Sequence, residues 1–197
     1  YATNSHRDMF LKNLNIPDEY HHKAIRSGQP HELIVDSLTQ YQGTAKADTV
    51  MWPHRYNDDK QPGIAEDLSS DFAMVITQKM NLSKADYYAT MGTSKAIFSC
   101  ALHENLGISV MEAVLTGAIP IVPDRCSYTE MYLPEFKYPS EWTEVDQFDS
   151  HRDQLVEFIN TRLDNFADYQ DLIKQQQQIL IKDYLSSSTM INTLLGT

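Results

Sequence analysis

Four short apolar runs in the centre of the chain alternate with stretches in which apolar residues recur at helical spacing. Runs of this length that are apolar throughout are typical of strands buried on both faces of a parallel sheet. Parallel strands joined through a helix form the βαβ unit, which binds phosphorylated ligands at the carboxyl ends of its strands. The pattern therefore predicts an α/β fold, a Rossmann-like parallel sheet with flanking helices. The predicted strands are 49–52, 72–77, 96–102 and 118–122.

The helix between the last two predicted strands contains one acid that needs an explanation. Apolar residues recur from Ile108 at i, i+3 and i+7, with Asn105 as the predicted N-cap and Gly117 as the left-handed residue after the helix. Glu112 lies within this apolar helix, and an acid in such surroundings needs a partner. Two interpretations are open. Either the helix dipole or a nearby arginine stabilises the acid, or its carboxylate accepts hydrogen bonds from two ribose hydroxyls.

A second acid, Glu104, lies eight residues before Glu112, at the end of a predicted strand. Even a fully helical path would separate the two acids by only about 12 Å, which is about the reach of a nucleotide sugar. In this hypothesis one acid meets the sugar and the other the ribose, while the pyrophosphate binds at the intervening helix N-terminus.

Two cations, Arg55 and Lys60, follow the first predicted strand. The loop 53–62 is either a solvated turn with two ordinary bases or a diphosphate site, with Arg55 as a planar fork and Lys60 as a point charge. Asp58 and Asp59 in the same loop favour turn chemistry over metal binding, and the chain contains no D-x-D motif. No metal site is therefore predicted.

These motifs resemble the E-x7-E signature of retaining glycosyltransferases with the GT-B fold, of the family-four (glycosyl transferases group 1) type. Family-four enzymes carry an R-x4-K where Arg55 and Lys60 stand. The loop W-P-H-R-Y-N-D-D-K-Q-P and the S-Y-T-E at 127–130 are most similar to the tRNA-queuosine mannosyltransferase-like branch. The resemblance rests on His103-Glu104-Asn105-Leu106-Gly107, on Met111-Glu112-Ala113-Val114, and on Gly117, Pro120 and Glu130.

The resemblance implies a function and a role for each site residue. It implies the C-terminal, donor-binding domain of a retaining enzyme that moves a hexose from a nucleotide-diphosphate sugar, of the GDP-mannose or UDP-glucose type, to an unknown acceptor. Glu104, Arg55 and Lys60 would be catalytic, and no cofactor or metal is expected because the two bases neutralise the diphosphate. The other expected donor-binding residues are His103, Asn105, Leu106, Gly107, Glu112 and Glu130.

Two other functions are compatible with the same motifs. One is a non-catalytic module that binds nucleotide sugars, and the other is a nucleotide-sugar epimerase of the same fold. The fold alone does not choose between them.

The predicted domain organisation follows the GT-B plan. Between Lys60 and Glu104 there is room for one strand and one helix, fewer than a full family domain has, so either this domain is compacted or segments of it are absent from the chain. The predicted parts are 1–35, a remnant of the N-terminal acceptor domain; 36–48, a polar interdomain linker; 49–150, the Rossmann-like nucleotide-sugar-binding domain; and 151–197, bracing helices.

The C-terminal part is predicted to be helical. One apolar stripe runs from Leu155 to Leu163 and a second from Leu172 to Leu180. The glutamines 175–178 within the second stripe are predicted to form a solvated face.

Charge and composition narrow the expected partners. The chain has 27 acids and 16 bases, a net charge of −11, which disfavours a nucleic-acid backbone footprint on this surface. A nucleic-acid acceptor could still bind through a missing N-terminal domain. Cys100 and Cys126 have no metal-like spacing and indicate free thiols in a reducing compartment. No apolar run approaches 18 residues and no signal peptide is recognisable, so a cytoplasmic protein without a membrane segment is expected.

Overall fold

A computed structural model of the protein describes residues 1–196, and its centre is one five-stranded sheet. All strands run parallel, in the order β2-β1-β3-β4-β5. The predicted α/β, Rossmann-like sheet is therefore confirmed. The strands are β1 (Ala47–Trp52), β2 (Ala73–Ile76), β3 (Ser94–Phe98), β4 (Ile119–Pro123) and β5 (Lys137–Tyr138).

Helices cover both faces of the sheet and extend beyond it at the two ends of the described chain. Short 3₁₀ turns join several of them, and a π-helical turn at Ile181–Leu185 continues α8. The α-helices within residues 1–196 are α1 (Asn4–Asn13), α2 (Glu32–Thr39), α3 (Pro62–Asp67), α4 (Lys84–Thr93), α5 (Ile108–Leu115), α6 (Ser127–Met131), α7 (Phe148–Asp164), α8 (Gln170–Leu180) and α9 (Ser187–Leu195).

The core lies in two layers, one on each face of the sheet. Successive strand residues point to opposite faces, so Met51 joins the layer under α2, α5 and α8, while its neighbours Val50 and Trp52 join the layer under α3 and α7. Because both faces are covered, the last three residues of β1 and of β3 and all of β4 are apolar at consecutive positions, as the sequence pattern predicts, whereas the first halves of β1 and β3 contain polar residues.

The order of the strands creates a crevice at the carboxyl ends of two central strands, β1 and β3. From β1 the chain passes to β2 on one side, whereas β3 and β4 follow on the other side of β1. The loops after β1 and β3 therefore separate above their carboxyl ends, and ligands of open α/β sheets bind at such a switch point.

The connection within the polar stretch 36–48 is shorter than the sequence predicts. Its first residues belong to α2, where Leu38 is fully buried, and its last residues belong to β1. The predicted linker therefore overlaps α2 and β1, because one buried apolar residue per helical turn, Ile34 and then Leu38, is enough to anchor a largely polar helix. The connection itself is 40–46, and the division of the chain into domains stays a prediction.

Helix α5 begins later than predicted. Gly107, not Asn105, is its N-cap, with a φ of +71° in the left-handed region. A Cβ at Gly107 would lie 2.8 Å from the Tyr128 ring, so both the turn and the packing require glycine. At the other end, Gly117 has the predicted left-handed conformation, with a φ of +89°.

The glutamines of α8 do not all face solvent. Gln176 is fully buried, donates to the carbonyl of Met131 at 2.8 Å and accepts from the amide of Leu133 at 2.8 Å. Gln177 donates to the carbonyl of Val114 at 2.7 Å. The predicted solvated face is therefore wrong for Gln176, because α8 packs against a turn whose backbone groups need partners.

Candidate functional site

A cavity of about 820 Å³ opens at the switch point above β1 and β3. One wall is formed by the loop after β1 and another by the loop after β3 together with the first turns of α5. Tyr1, Ala2 and the turn 28–30 close a further side, so the N-terminal segment is part of the wall. A space of this size is typical of sites for small molecules and cofactors.

Most of the predicted site residues meet in this cavity, although the chain places them in two separate loops and a helix. Two of the predicted residues, His103 and Glu130, lie outside its lining. The residues brought together are Arg55, Lys60, Glu104, Asn105, Leu106, Gly107 and Glu112.

The two predicted cations are held in different ways. Lys60 is 8% exposed, and its Nζ lies 3.4 Å from an oxygen of Glu104, 3.2 Å from an oxygen of Asp59 and within hydrogen-bond distance of the carbonyl of His103. Arg55 is exposed at the cavity, and its guanidinium has no hydrogen bond or ion pair within residues 1–196. Lys60 is thus positioned by the fold, whereas the Arg55 fork is free to engage a ligand.

Glu104 is fixed from two sides. One carboxylate oxygen accepts from the amides of Asn105, at 3.0 Å, and Leu106, at 3.3 Å, and the other faces Lys60. This ion pair is mostly buried, so each charge is largely offset by the other. A negatively charged ligand therefore needs further positive groups at the cavity.

The N-terminus of α5 supplies such groups. Ile108 and Ser109 line the cavity, and their amide N–H groups have no partner within the described chain. The first N–H groups of a helix lack partners within the helix, and together with the helix dipole they favour an anion. The left-handed turn at Gly107 sets the direction in which these groups point.

Glu112 lies on the first turns of α5, 8% exposed, and faces the same cavity. Its partner is a phenol and not an arginine, because the Tyr88 hydroxyl donates to Oε1 at 2.9 Å. Burial raises the pKa of Glu112, and the bond from Tyr88 opposes that shift. Since Oε2 has no partner within residues 1–196, a ligand hydroxyl can bind there.

His103 and Glu130 have other contacts. The His103 side chain is exposed, and it is the backbone carbonyl of this residue that holds Lys60. Glu130 accepts from the amide of Asn4 at 3.1 Å, from its side-chain nitrogen at 3.0 Å and from the amide of Ser5 at 2.7 Å. Glu130 thus caps the start of α1, and donor binding by these two residues stays a prediction.

Sequence reasoning missed His54. This residue directly precedes Arg55, is 5% exposed and lines the cavity, with Nε2 2.9 Å from the hydroxyl of Ser99. Burial lowers the pKa of His54 from 6.5 to about 4, although the charge of Glu104 acts in the opposite direction. Its position at the carboxyl end of β1 is the signal that could have identified it.

No family model matches the chain. The chain is nevertheless similar to a glycosyltransferase. It is 27% identical over 119 residues to the tRNA-queuosine alpha-mannosyltransferase of Drosophila melanogaster, a match that covers 45% of this chain and 32% of that protein. The match thus takes in about a third of the length of this relative. This distant similarity and the parallel sheet are consistent with the glycosyltransferase resemblance of the motifs, and the GT-B family stays a prediction.

Two kinds of feature are absent from the described part of the chain. None of its helices has the length and apolar character required to cross a membrane. Nor do residues 1–196 bring three or more histidine, cysteine, aspartate or glutamate side chains together in a way that could hold a metal ion.

Proposed function

We propose that this chain forms the donor-binding part of a retaining glycosyltransferase that transfers a hexose from a nucleoside-diphosphate sugar to an acceptor. The observation that carries the proposal is the meeting of Arg55, Lys60 and the open N-terminus of α5 at one cavity. A guanidinium, an ammonium and free backbone N–H groups are the donors that recognise a diphosphate.

The two cations have complementary roles in the proposal. Lys60 is already positioned and loses little side-chain entropy when the diphosphate binds, whereas Arg55 moves onto it as a bidentate fork. Both charges act most strongly when the nucleoside diphosphate departs and its negative charge grows. The cations therefore stabilise the transition state more than the bound donor.

The two acids bind the uncharged parts of the donor. Glu104, held against Lys60, faces the transferred sugar and stabilises the positive charge that develops at its anomeric carbon. Glu112 accepts hydrogen bonds from the ribose through the oxygen that Tyr88 leaves free.

The transfer proceeds on one face of the sugar. The bond from the anomeric carbon to the diphosphate breaks, and its electron pair stays on the phosphate oxygen. The acceptor hydroxyl forms the new bond from the same face and gives its proton to that oxygen, so the configuration is retained. The chemistry requires no covalent bond between enzyme and sugar.

The name of the relative favours a mannosyl donor, of the GDP-mannose type rather than the UDP-glucose type. It also names a tRNA nucleoside as the acceptor of that protein. With a net charge of −11, this chain is a poor surface for an RNA backbone, so an RNA acceptor would be held mainly by other parts of the enzyme.

Calorimetric titration of the protein with GDP and UDP tests the site. Arg55→Ala should lower the affinity for the preferred diphosphate at least about tenfold, because charge-assisted hydrogen bonds are lost. It should leave the melting temperature unchanged, since the Arg55 guanidinium has no partner within residues 1–196. Lys174→Ala, which removes an exposed cation of α8 outside the cavity, is the matched control. Equal affinity of the two variants would contradict the proposal.

Turnover distinguishes catalysis from binding alone. Release of nucleoside diphosphate from GDP-mannose and UDP-glucose should be abolished in Glu104→Gln while the diphosphate still binds. Binding without any release would indicate a non-catalytic module, and an isomerised sugar nucleotide without acceptor would indicate an epimerase.

A further inference from the structure

We infer that His54 donates a hydrogen bond from Nδ1 to a diphosphate oxygen of the donor, and that Ser99 and Tyr128 hold the imidazole in the tautomer that makes this possible. The ligand in this inference rests on the proposed function. The tautomer does not, because it follows from the protein alone.

The position of His54 places it at the floor of the cavity. It lies two residues beyond the end of β1, its ring packs edge-on against Trp52 with centroids 5.5 Å apart, and it lines the same cavity as Arg55 and Lys60. The two ring nitrogens therefore have different surroundings: one meets the protein interior and the other the cavity.

The interior nitrogen, Nε2, faces the hydroxyl of Ser99, and the other partners of this hydroxyl fix the direction of its hydrogen bond to His54. Ser99 Oγ contacts the Tyr128 hydroxyl at 3.1 Å, the amide of Ala101 at 3.4 Å and His54 Nε2 at 2.9 Å. A serine hydroxyl has one hydrogen to donate and two positions to accept. If the tyrosine and the amide donate to Ser99, its single hydrogen goes to His54.

Tyr128 must be the donor in this chain of bonds. Its hydroxyl is fully buried, and Ser99 is the one acceptor it has within residues 1–196. Reversing the direction would leave the phenolic hydrogen buried without a partner, which is unfavourable. Burial also raises the pKa of Tyr128 well above its usual range, so the phenol keeps its proton.

The imidazole is neutral at pH 7, because burial lowers its pKa to about 4. A neutral ring that accepts at Nε2 carries its hydrogen on Nδ1. Within the described residues Nδ1 has no acceptor, and it is not one of the buried nitrogens that are sealed from solvent without a partner. The Nδ1–H group therefore opens into the cavity that the ring lines.

The neighbours of this N–H indicate what it binds. Lys60 and Glu104 line the same cavity as the ring, and their charges shift its pKa in opposite directions. A diphosphate held by Lys60 and Arg55 brings acceptor oxygens to the same floor. Since the neutral imidazole adds no charge, its hydrogen bond would orient the diphosphate rather than add to the electrostatic attraction.

The tautomer is tested first, by nitrogen-15 NMR of the histidine rings in the free protein, with the His54 signals assigned by their absence in His54→Gln. At pH 7 the wild-type ring should be in the Nδ1–H form. Ser99→Ala and Tyr128→Phe should both shift it toward the Nε2–H form. An Nε2–H ring in the wild type, or no change in either variant, would overturn the inference.

The hydrogen bond to the donor is tested with two substitutions that keep opposite halves of the ring. Asparagine places an amide nitrogen near Nδ1, whereas glutamine places one near Nε2. His54→Gln should bind GDP and GDP-mannose about tenfold more weakly, while His54→Asn should remain within about threefold of the wild type. Thermal melts of both variants show that they are folded.

Three results would contradict this second part. Equal losses of affinity in His54→Gln and His54→Asn would mean that the ring contributes packing alone. A loss of affinity for GDP-mannose but not for GDP would mean that the hydrogen bond is made to the sugar. If wild-type protein bound neither GDP nor UDP, the proposed function and the ligand would both fail, while the NMR result would still decide the tautomer.

Discussion

Acidification should destabilise this protein through His54. In the unfolded chain the imidazole titrates near its ordinary pKa of 6.5, whereas in the folded protein burial lowers this pKa to about 4. Between those values the unfolded state binds the proton first, so stability falls as the pH falls through this window. One pKa unit corresponds to 1.36 kcal/mol, so the full shift is worth about 3 kcal/mol, lost between about pH 6.5 and pH 4.

Urea unfolding of the wild type and of His54→Asn at a series of pH values from 8 to 4 measures this effect. The substitution lowers stability by a constant amount through lost packing, so only the pH-dependent part of the difference is relevant. Other groups cancel in that difference, including Glu112, whose raised pKa acts with the opposite sign. The wild type should lose about 3 kcal/mol more than the variant on going from pH 7 to pH 4. Parallel curves would show that the folded imidazole titrates normally and would refute the reasoning.

Two further predictions concern the supports of the site. Gly107→Ala should destabilise the protein by about 2 to 4 kcal/mol, because the left-handed backbone and contact with the Tyr128 ring both oppose a Cβ. The control Gly43→Ala has the same backbone strain but open space around it, and it should cost only about 1 kcal/mol. Equal losses of stability in urea unfolding would exclude a contribution from the contact with Tyr128. Gln176→Ala should cost about 2 to 4 kcal/mol, because it leaves the partly buried amide of Leu133 and the buried carbonyl of Met131 unpaired, whereas Gln175→Ala on the exposed side of the same helix should change the midpoint little. A small effect at Gln176 would mean that water replaces the side chain.

The strands and the central helix could be predicted from the sequence because their signals are local. The buried part of a strand covered on both faces is apolar at consecutive positions, and a helix beside it shows its own period, so β1 to β4 and α5 are visible in a few residues each. Glu104 and Glu112 were recognisable for the same reason. Their spacing is short, and an acid inside an apolar helix is unusual wherever the helix packs.

Contacts between distant segments were decided by the tertiary structure. The order of the strands brings Lys60 into contact with Glu104 and places Arg55 at the same cavity, and residue spacing along the chain does not reveal that order. Gln176 is one of four consecutive glutamines, and nothing in the sequence distinguishes it from its exposed neighbours. Only the packing of α8 gives its side chain two backbone partners.

The bonds that set the state of His54 come from three separate segments. Ser99 lies in the loop after β3 and Tyr128 in α6, and neither is distinguishable in the sequence from an ordinary buried residue. Hydrophobic patterning by itself indicated which apolar side chains of the central strands and of α5 are buried, because their burial follows each segment's own period. The fold decided which buried polar groups pair, because a hydrogen bond requires two atoms within about 3 Å of each other.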